Sequence, residues 1–203
     1  YWLNSATMAV LAGLALLATW ARGDACSVLG LAPGRSAGGS LWILGLLIAL
    51  YLLDLARKLA TPSRREATAA RWKKLTPFMP ANGRECAHSV VMCLSAGCCE
   101  ELLYRGFLVP YLLGLFDPYA AAPFVAVLLP AAIFGVSHRY QGRAAMLQIA
   151  ALAAGMGWFF LRTQALLPLV ILHTCIDLAG VCLSPWLMSS APSLTPPVSA
   201  KDP

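Results

Sequence analysis

Six ionisable side chains stand in stretches of this chain that are otherwise apolar: Glu100, Glu101, Arg105, His138, His173 and Asp177. Charge in such surroundings is costly, and the groups that persist there face a bundle interior, pair with one another and mark function. Glu101 and Arg105 are four residues apart, so on a helix they share a face and can form an ion pair. Glu100 points about 100° away from Glu101 at 3.6 residues per turn, so the two carboxylates need not do the same job. His173 with Asp177, and Phe134 with His138, repeat the four-residue spacing. Three helices thus each offer one face with a polar group, and a bundle can converge them on a shared cavity. Singly, each has an ordinary structural reading: a buried ion pair, a histidine capping a helix C-terminus, a polar interhelical clasp. As a set, on a chain this short of charge, they suit acid–base chemistry.

The elements that must position these residues are membrane helices. The chain has 203 residues, is 59% hydrophobic and 12% charged, and has a mean hydropathy of +0.70. A soluble domain of this size carries roughly twice that charged fraction. Apolar runs of about 20 residues, enough to span a bilayer, recur along the whole length. They predict six spans near 2–21, 40–56, 86–115, 119–138, 144–162 and 165–187, the third long and bent. A seventh arises if the third breaks near Gly106 or Pro110. No strand alternation of the barrel kind is present, so the expected fold is an all-α polytopic transmembrane bundle. Its expected parts are two spans plus a basic loop over 1–84, a core over 85–187 and a disordered Pro/Ser-rich tail over 188–203.

The net charge of +6 is unevenly spread. Eight of the 15 basic residues fall between Arg57 and Arg84, directly after the second span and with few aromatics among them. This is the pattern of a cytoplasmic loop under the positive-inside bias, and it argues against nucleic acid as a partner. The stretch "RKLATPSRREATAARWKKL" suits an interfacial helix along anionic headgroups. With this loop inside, the N-terminus, the tail and "HRYQGR" fall on the same side. The first span begins with Tyr1 and lacks a basic n-region, which makes it weak as a cleavable signal peptide. The seven cysteines, Cys26, Cys86, Cys93, Cys98, Cys99, Cys175 and Cys182, lie mostly within spans and read as small packing residues.

Three motifs carry a family resemblance: "EELLYR" fits EExxxR, "FGVSH" fits FxxxH and "HTCID" fits HxxxN/D. In this order, each on a span, they resemble the CPBP intramembrane proteases, which include the CAAX-processing endopeptidases and bacteriocin-processing proteins. The resemblance covers roughly residues 86 to 185. It implies peptide hydrolysis, which needs an activated water, a stabiliser for the tetrahedral oxyanion and a proton donor for the leaving amine. Glu100 is then the general base, His138 helps to hold the water, and Glu101, held by Arg105, orients the site. His173 donates to the oxyanion. Asp177 stands where some members have Asn, and an ionised Asp can only accept, so its expected role is to orient His173.

The resemblance favours a glutamate-and-water mechanism with no cofactor and no metal. The alternative is zinc on the two glutamates and two histidines, although there is no HExxH. His88, about 18 Å along the helix from Glu100, is left out of the site. Other readings are a cysteine nucleophile at Cys98 or Cys99, whose thiol pKa an adjacent glutamate pair would raise, and bis-histidine haem ligation by His138 and His173. A proton-coupled transporter lacks the inverted repeat expected of it, and a non-catalytic immunity or scaffold protein would not need the intact motif set. The expected partners are the lipid bilayer and a membrane-embedded or membrane-associated peptide or protein substrate, and the expected location is a bacterial inner membrane.

The charge pattern predicts that the 57–84 and 139–143 segments face the same side of the membrane. Cysteine-accessibility labelling of single-cysteine variants at Arg65 and Arg143 should report the same compartment for both; labelling from opposite sides overturns the six-span arrangement.

Overall fold

The computed structural model describes residues 2–23, 29–30, 40–75, 79–80 and 82–189. Among these the ordered elements are all helical: α1 Trp2–Ala21, α2 Leu41–Leu59, α3 Pro62–Leu75, α4 Gly83–Glu101, a π-helix Leu102–Leu108, α5 Val109–Leu115, α6 Ala122–Ser137, a 3-10 turn Arg139–Gln141, α7 Arg143–Thr163 and α8 Leu167–Ser189. Cys26 and the tail beyond Ser189 lie outside the described residues.

Four of these paths are long and apolar enough to cross a membrane: Trp2–Ala21, the continuous Gly83–Leu115, Arg143–Thr163 and Leu167–Ser189. They coincide with the first, third, fifth and sixth predicted spans. The segment expected in fourth place is α6, whose 16 residues extend about 24 Å, short of the roughly 30 Å hydrocarbon core. The second, α2, is 19 residues long and carries Asp54, Arg57 and Lys58 in its last two turns. Large apolar side chains face outward along the helices, among them Leu14 and Leu17 on α1, Leu128 and Ile133 on α6, and Ile171 on α8. Such a surface suits lipid as its solvent, and the chain is an integral membrane protein.

The long third path does not break at Gly106 or Pro110. Pro110 has no N–H, and in an α-helix its ring would press on the carbonyl of Gly106. The helix relieves this by widening: the Val109 N–H reaches back to Tyr104 O, a π-type bond, and the path then resumes as α5. At its other end, Asn82 caps α4 by accepting from the Glu85 backbone N–H at 3.0 Å and donating to the Glu85 carboxylate at 2.8 Å.

Two packed pairs, α4 with α8 and α6 with α7, form the centre of the bundle. α1 lies along α4 and the π-segment, α5 packs on α6, and α2 packs on α7 and α3. Phe159, Phe160, Leu169, Ala126 and Val109 fill the interior. The close approaches use glycine. A Cβ on Gly97 would overlap Thr174 Oγ1 and stand 3.2 Å from the Thr174 backbone N. One on Gly135 would lie 2.6 Å from Ala150 Cβ. Small residues at such crossings allow helices to pack backbone to backbone in lipid.

α3 is too polar to span. It rests on α8 and α2 with Ala69 buried and Trp72 half-buried, and it turns Arg64, Arg71, Lys73 and Lys74 outward. Arg71 Nη2 donates to the Gln141 carbonyl at 3.2 Å. The two basic segments, read from sequence as sharing a side, therefore meet at one end of the bundle.

The Gly97 contact generates a test. Gly97→Ala should destabilise the protein by about 1–3 kcal/mol, because the clash includes the α8 backbone. Gly155→Ala should cost less, because the atom its Cβ meets at 2.6 Å is the flexible end of Leu47. Thermal unfolding in detergent checks both; equal losses would contradict this account of the crossing.

Candidate active site

The last turn of α4 carries Glu100 and Glu101 into the crossing with α8, one turn beyond Gly97. Glu101 is fully buried, and its Oε1 accepts two bonds, from Arg105 Nη1 at 2.6 Å and from His173 Nδ1 at 2.7 Å. Arg105, on the π-helix, is itself 2% exposed. Its Nη2 donates to the Ala153 carbonyl at 3.3 Å and approaches Met156 Sδ at 3.8 Å, both on α7. Its guanidinium also lies over the Phe134 ring of α6, 5.2 Å from the centroid, at cation–π range. One ion pair thus touches four elements.

His173 stands between the two glutamates. With Nδ1 on Glu101, its Nε2 faces Glu100 Oε2 at 3.6 Å and Asp177 Oδ2 at 3.7 Å. Since a carboxylate oxygen accepts, Nδ1 carries the hydrogen in the Glu101 bond. The roughly 100° between successive helical positions is visible here: Glu101 points inward to Arg105 and Glu100 points to the far nitrogen of the same imidazole.

His138 sits at the C-terminal end of α6. Its Nδ1 is 2.8 Å from the Phe134 carbonyl and 3.1 Å from Ser137 Oγ. The carbonyl is an acceptor only, so Nδ1 donates and Nε2 is left with a lone pair. His138 is one aromatic ring away from the rest: Phe134 is 4.6 Å from His138 and 5.9 Å, edge to face, from His173. Tyr104 closes on the same ring at 5.0 Å.

The structure therefore brings Glu100, Glu101, Arg105, His173 and Asp177 into direct contact and sets His138 beside them across Phe134. His88 lies elsewhere, with its ring against Trp2 of α1. Phe134 entered the sequence reading as a spacing partner; its position as the shared floor of Arg105, His138 and His173 depends on the helix crossing. Ser137 and Tyr140, which flank His138, were not singled out, although their adjacency to it was a signal. Cys98 is exposed and Cys99 half-buried. Among the described residues no three His, Cys, Asp or Glu side chains are grouped as ligands of one ion.

The shared oxygen makes a stability prediction. Glu101→Ala should destabilise the protein by about 3–5 kcal/mol, because it leaves Arg105 as an uncompensated buried cation. Glu101→Leu combined with Arg105→Leu should recover much of that loss. The comparison is thermal unfolding in detergent, and a double variant no more stable than Glu101→Ala would contradict the pairing.

Comparison with known families bears on what such a site is for. Residues 82–179 match the family model described as type II CAAX prenyl endopeptidase, Rce1-like. No curated protein and no solved structure gives a match. The matched residues run from the cap of α4 to two residues past Asp177, so they hold all three motifs and the whole cluster. Through this region the chain belongs to the CPBP/CAAX protease family, in its Rce1-like branch.

Proposed function

We propose that the chain is an intramembrane endopeptidase that hydrolyses a peptide bond with water activated by Glu100 and His138. The observation that supports this best is the division of labour around His173: one nitrogen is tied to the buried Glu101–Arg105 pair, and the other is turned to Glu100. A base needs a fixed orientation within hydrogen-bond reach of the proton it takes, and the rigid pair beneath the imidazole supplies that orientation. Glu100 takes one proton of the water and the Nε2 lone pair of His138 accepts a hydrogen bond from the other. The water oxygen bonds to the peptide carbon as the carbonyl electron pair moves to oxygen. Glu100 then returns its proton to the leaving amine as the C–N bond breaks. His173, when Nε2 carries a proton, contributes a charge-assisted donor beside the reacting carbon.

The family description directs attention to prenylated, membrane-held peptide substrates, and a site at the inner end of lipid-facing helices suits them. In this reading α2 and α6 complete a six-span arrangement, and the basic end formed by α3 and the Arg139–Arg143 segment faces the cytoplasm of a bacterial inner membrane. The reaction proceeds without metal. Glu101 Oε1, the most buried carboxylate oxygen of the cluster, already accepts from two donors.

Glu100→Gln should give a folded, well-expressed protein with cleavage of a prenylated reporter peptide lowered by about 100-fold or more, the scale of losing a general base. EDTA and phenanthroline should leave the wild-type rate largely intact. Complete loss restored by zinc would make His138, His173 and Glu100 ligands instead. An active Glu100→Gln beside a folded, inactive Glu101→Gln would reverse base and orienter.

A further inference from the structure

Exposure across the cluster has a direction. Among its side chains, Glu101 is 0% exposed, Glu100 and His173 are 10%, and Asp177 is 34%. The site thus opens from the Arg105 pair towards Asp177, and a substrate carbonyl arrives from that side. The tetrahedral oxyanion needs donors there, and the nearest groups serve poorly. Asp177 is an acceptor when ionised. His173 Nε2 is already flanked by two carboxylates, at 3.6 Å and 3.7 Å.

At the same mouth stands Tyr140, 43% exposed, in the 3-10 turn Arg139–Gln141 that follows His138. Its ring lies 5.9 Å from the His138 ring, on the side of His138 that leads out of the bundle. The turn is braced. Gln141 N–H donates to the His138 carbonyl and Gly142 N–H to the Arg139 carbonyl, both at 3.0 Å, and Arg71 of α3 holds the Gln141 carbonyl at 3.2 Å. Gly142 then reverses the chain into α7 with φ 93°, a conformation glycine adopts without strain. Gln141 Nε2 donates to the Tyr140 oxygen at 3.1 Å, so the phenol is the acceptor in that bond. Burial pushes the Tyr140 phenol up from its ordinary range, the Gln141 bond opposes this, and the Glu100 and Asp177 carboxylates lie close enough to add to it. The hydroxyl therefore keeps its proton at neutral pH, within electrostatic reach of acids on two other helices.

We propose that Tyr140 is a catalytic residue whose O–H donates a hydrogen bond to the oxyanion, supplying at the mouth of the site the donor that the carboxylate of Asp177 cannot. This inference rests on the proposed peptidase reading. No proton is transferred: the carbonyl electron pair moves to oxygen as the water–carbon bond forms, the phenol hydrogen bonds to that oxygen, and the bond weakens when the carbonyl re-forms. A phenol held by a braced turn is oriented before the substrate arrives, which is the condition for such a donor to act more strongly on the transition state than on the ground state.

The alternative is that Tyr140 acts only as a ring stacked beside His138. Tyr140→Phe separates the two, because it keeps the ring and removes the hydroxyl. Cleavage of a prenylated reporter peptide should fall by about 100-fold in kcat with KM changed less than about twofold, as for loss of one oxyanion donor, and the thermal midpoint should hold. In an Asp177→Asn background, where an amide can donate, the same substitution should cost less than about threefold. Inhibition by a phosphinic peptide, which mimics the oxyanion, should weaken in Tyr140→Phe in parallel with kcat, whereas binding of a non-cleavable peptide should not. Wild-type turnover in Tyr140→Phe, an equal loss in both backgrounds, or unchanged phosphinate affinity overturns the inference. A wild-type protein that cleaves no peptide overturns instead the peptidase reading on which it rests.

Discussion

A single carboxylate oxygen organises this bundle. Glu101 Oε1 lies out of contact with solvent and accepts from a guanidinium of its own helical path and from an imidazole seventy-two residues away. In a medium that cannot solvate ions, neither cationic donor is tolerated without that acceptor, and the acceptor is not tolerated without them. Each partner then recruits further structure. Arg105 reaches the Ala153 carbonyl on α7 and the Phe134 ring on α6, and His173 fixes the rotation of α8. The relative placement of four elements is set by satisfying one buried charge.

The shape of the chain permits this closeness. Gly97 sits one turn before Glu101 and allows the α8 backbone to approach α4, so that His173 meets the glutamates without a long side chain having to reach. Gly135 does the same for α6 and α7, which brings Phe134 under Arg105 and His138 beside the cluster. Packing and electrostatics therefore specify the same crossing, as expected when local and global preferences agree. The Arg105–Phe134–His138 sequence of contacts also gives His138 a rigid floor while leaving Nε2 unengaged by its own helix. A group that must hold a small polar molecule without being locked by the protein suits such a position.

The parts of this arrangement legible from sequence are those that helical periodicity alone decides. The four-residue spacing of Glu101 and Arg105, and the divergence of Glu100 from Glu101, follow from 3.6 residues per turn and hold in the structure. The polar stretch after the second apolar run does form a surface helix, α3, with its cations outward. Contacts between helices were not legible in the same way. Nothing in the spacing of His173 and Asp177 says that the histidine bonds Glu101 more closely than it meets its own helical neighbour, at 2.7 Å against 3.7 Å. The role of Phe134 depends on how α6 crosses its neighbours, and that of Tyr140 on a turn held by α3. The count of spans was also beyond hydropathy, because α6 is short and α2 mixes charge into its final turns.

The widened turn at Leu102–Leu108 leaves a mark on what variation this protein can absorb. A π-segment holds more residues per turn than an α-helix of the same rise, so it works as a phase shifter between the glutamate end of the path and α5. Removing one residue within it would let the segment close to ordinary α geometry and turn all that follows by about 100°. Val109 and Leu112, now packed inside, would move towards lipid, and Tyr111 and Leu115 would be carried away from it. Point substitutions at the lipid-facing positions of this path are therefore mild perturbations, whereas a single-codon deletion anywhere between Leu102 and Leu108 acts on the whole helix beyond it. The reading frame of the fold, as distinct from that of the gene, is kept by one turn.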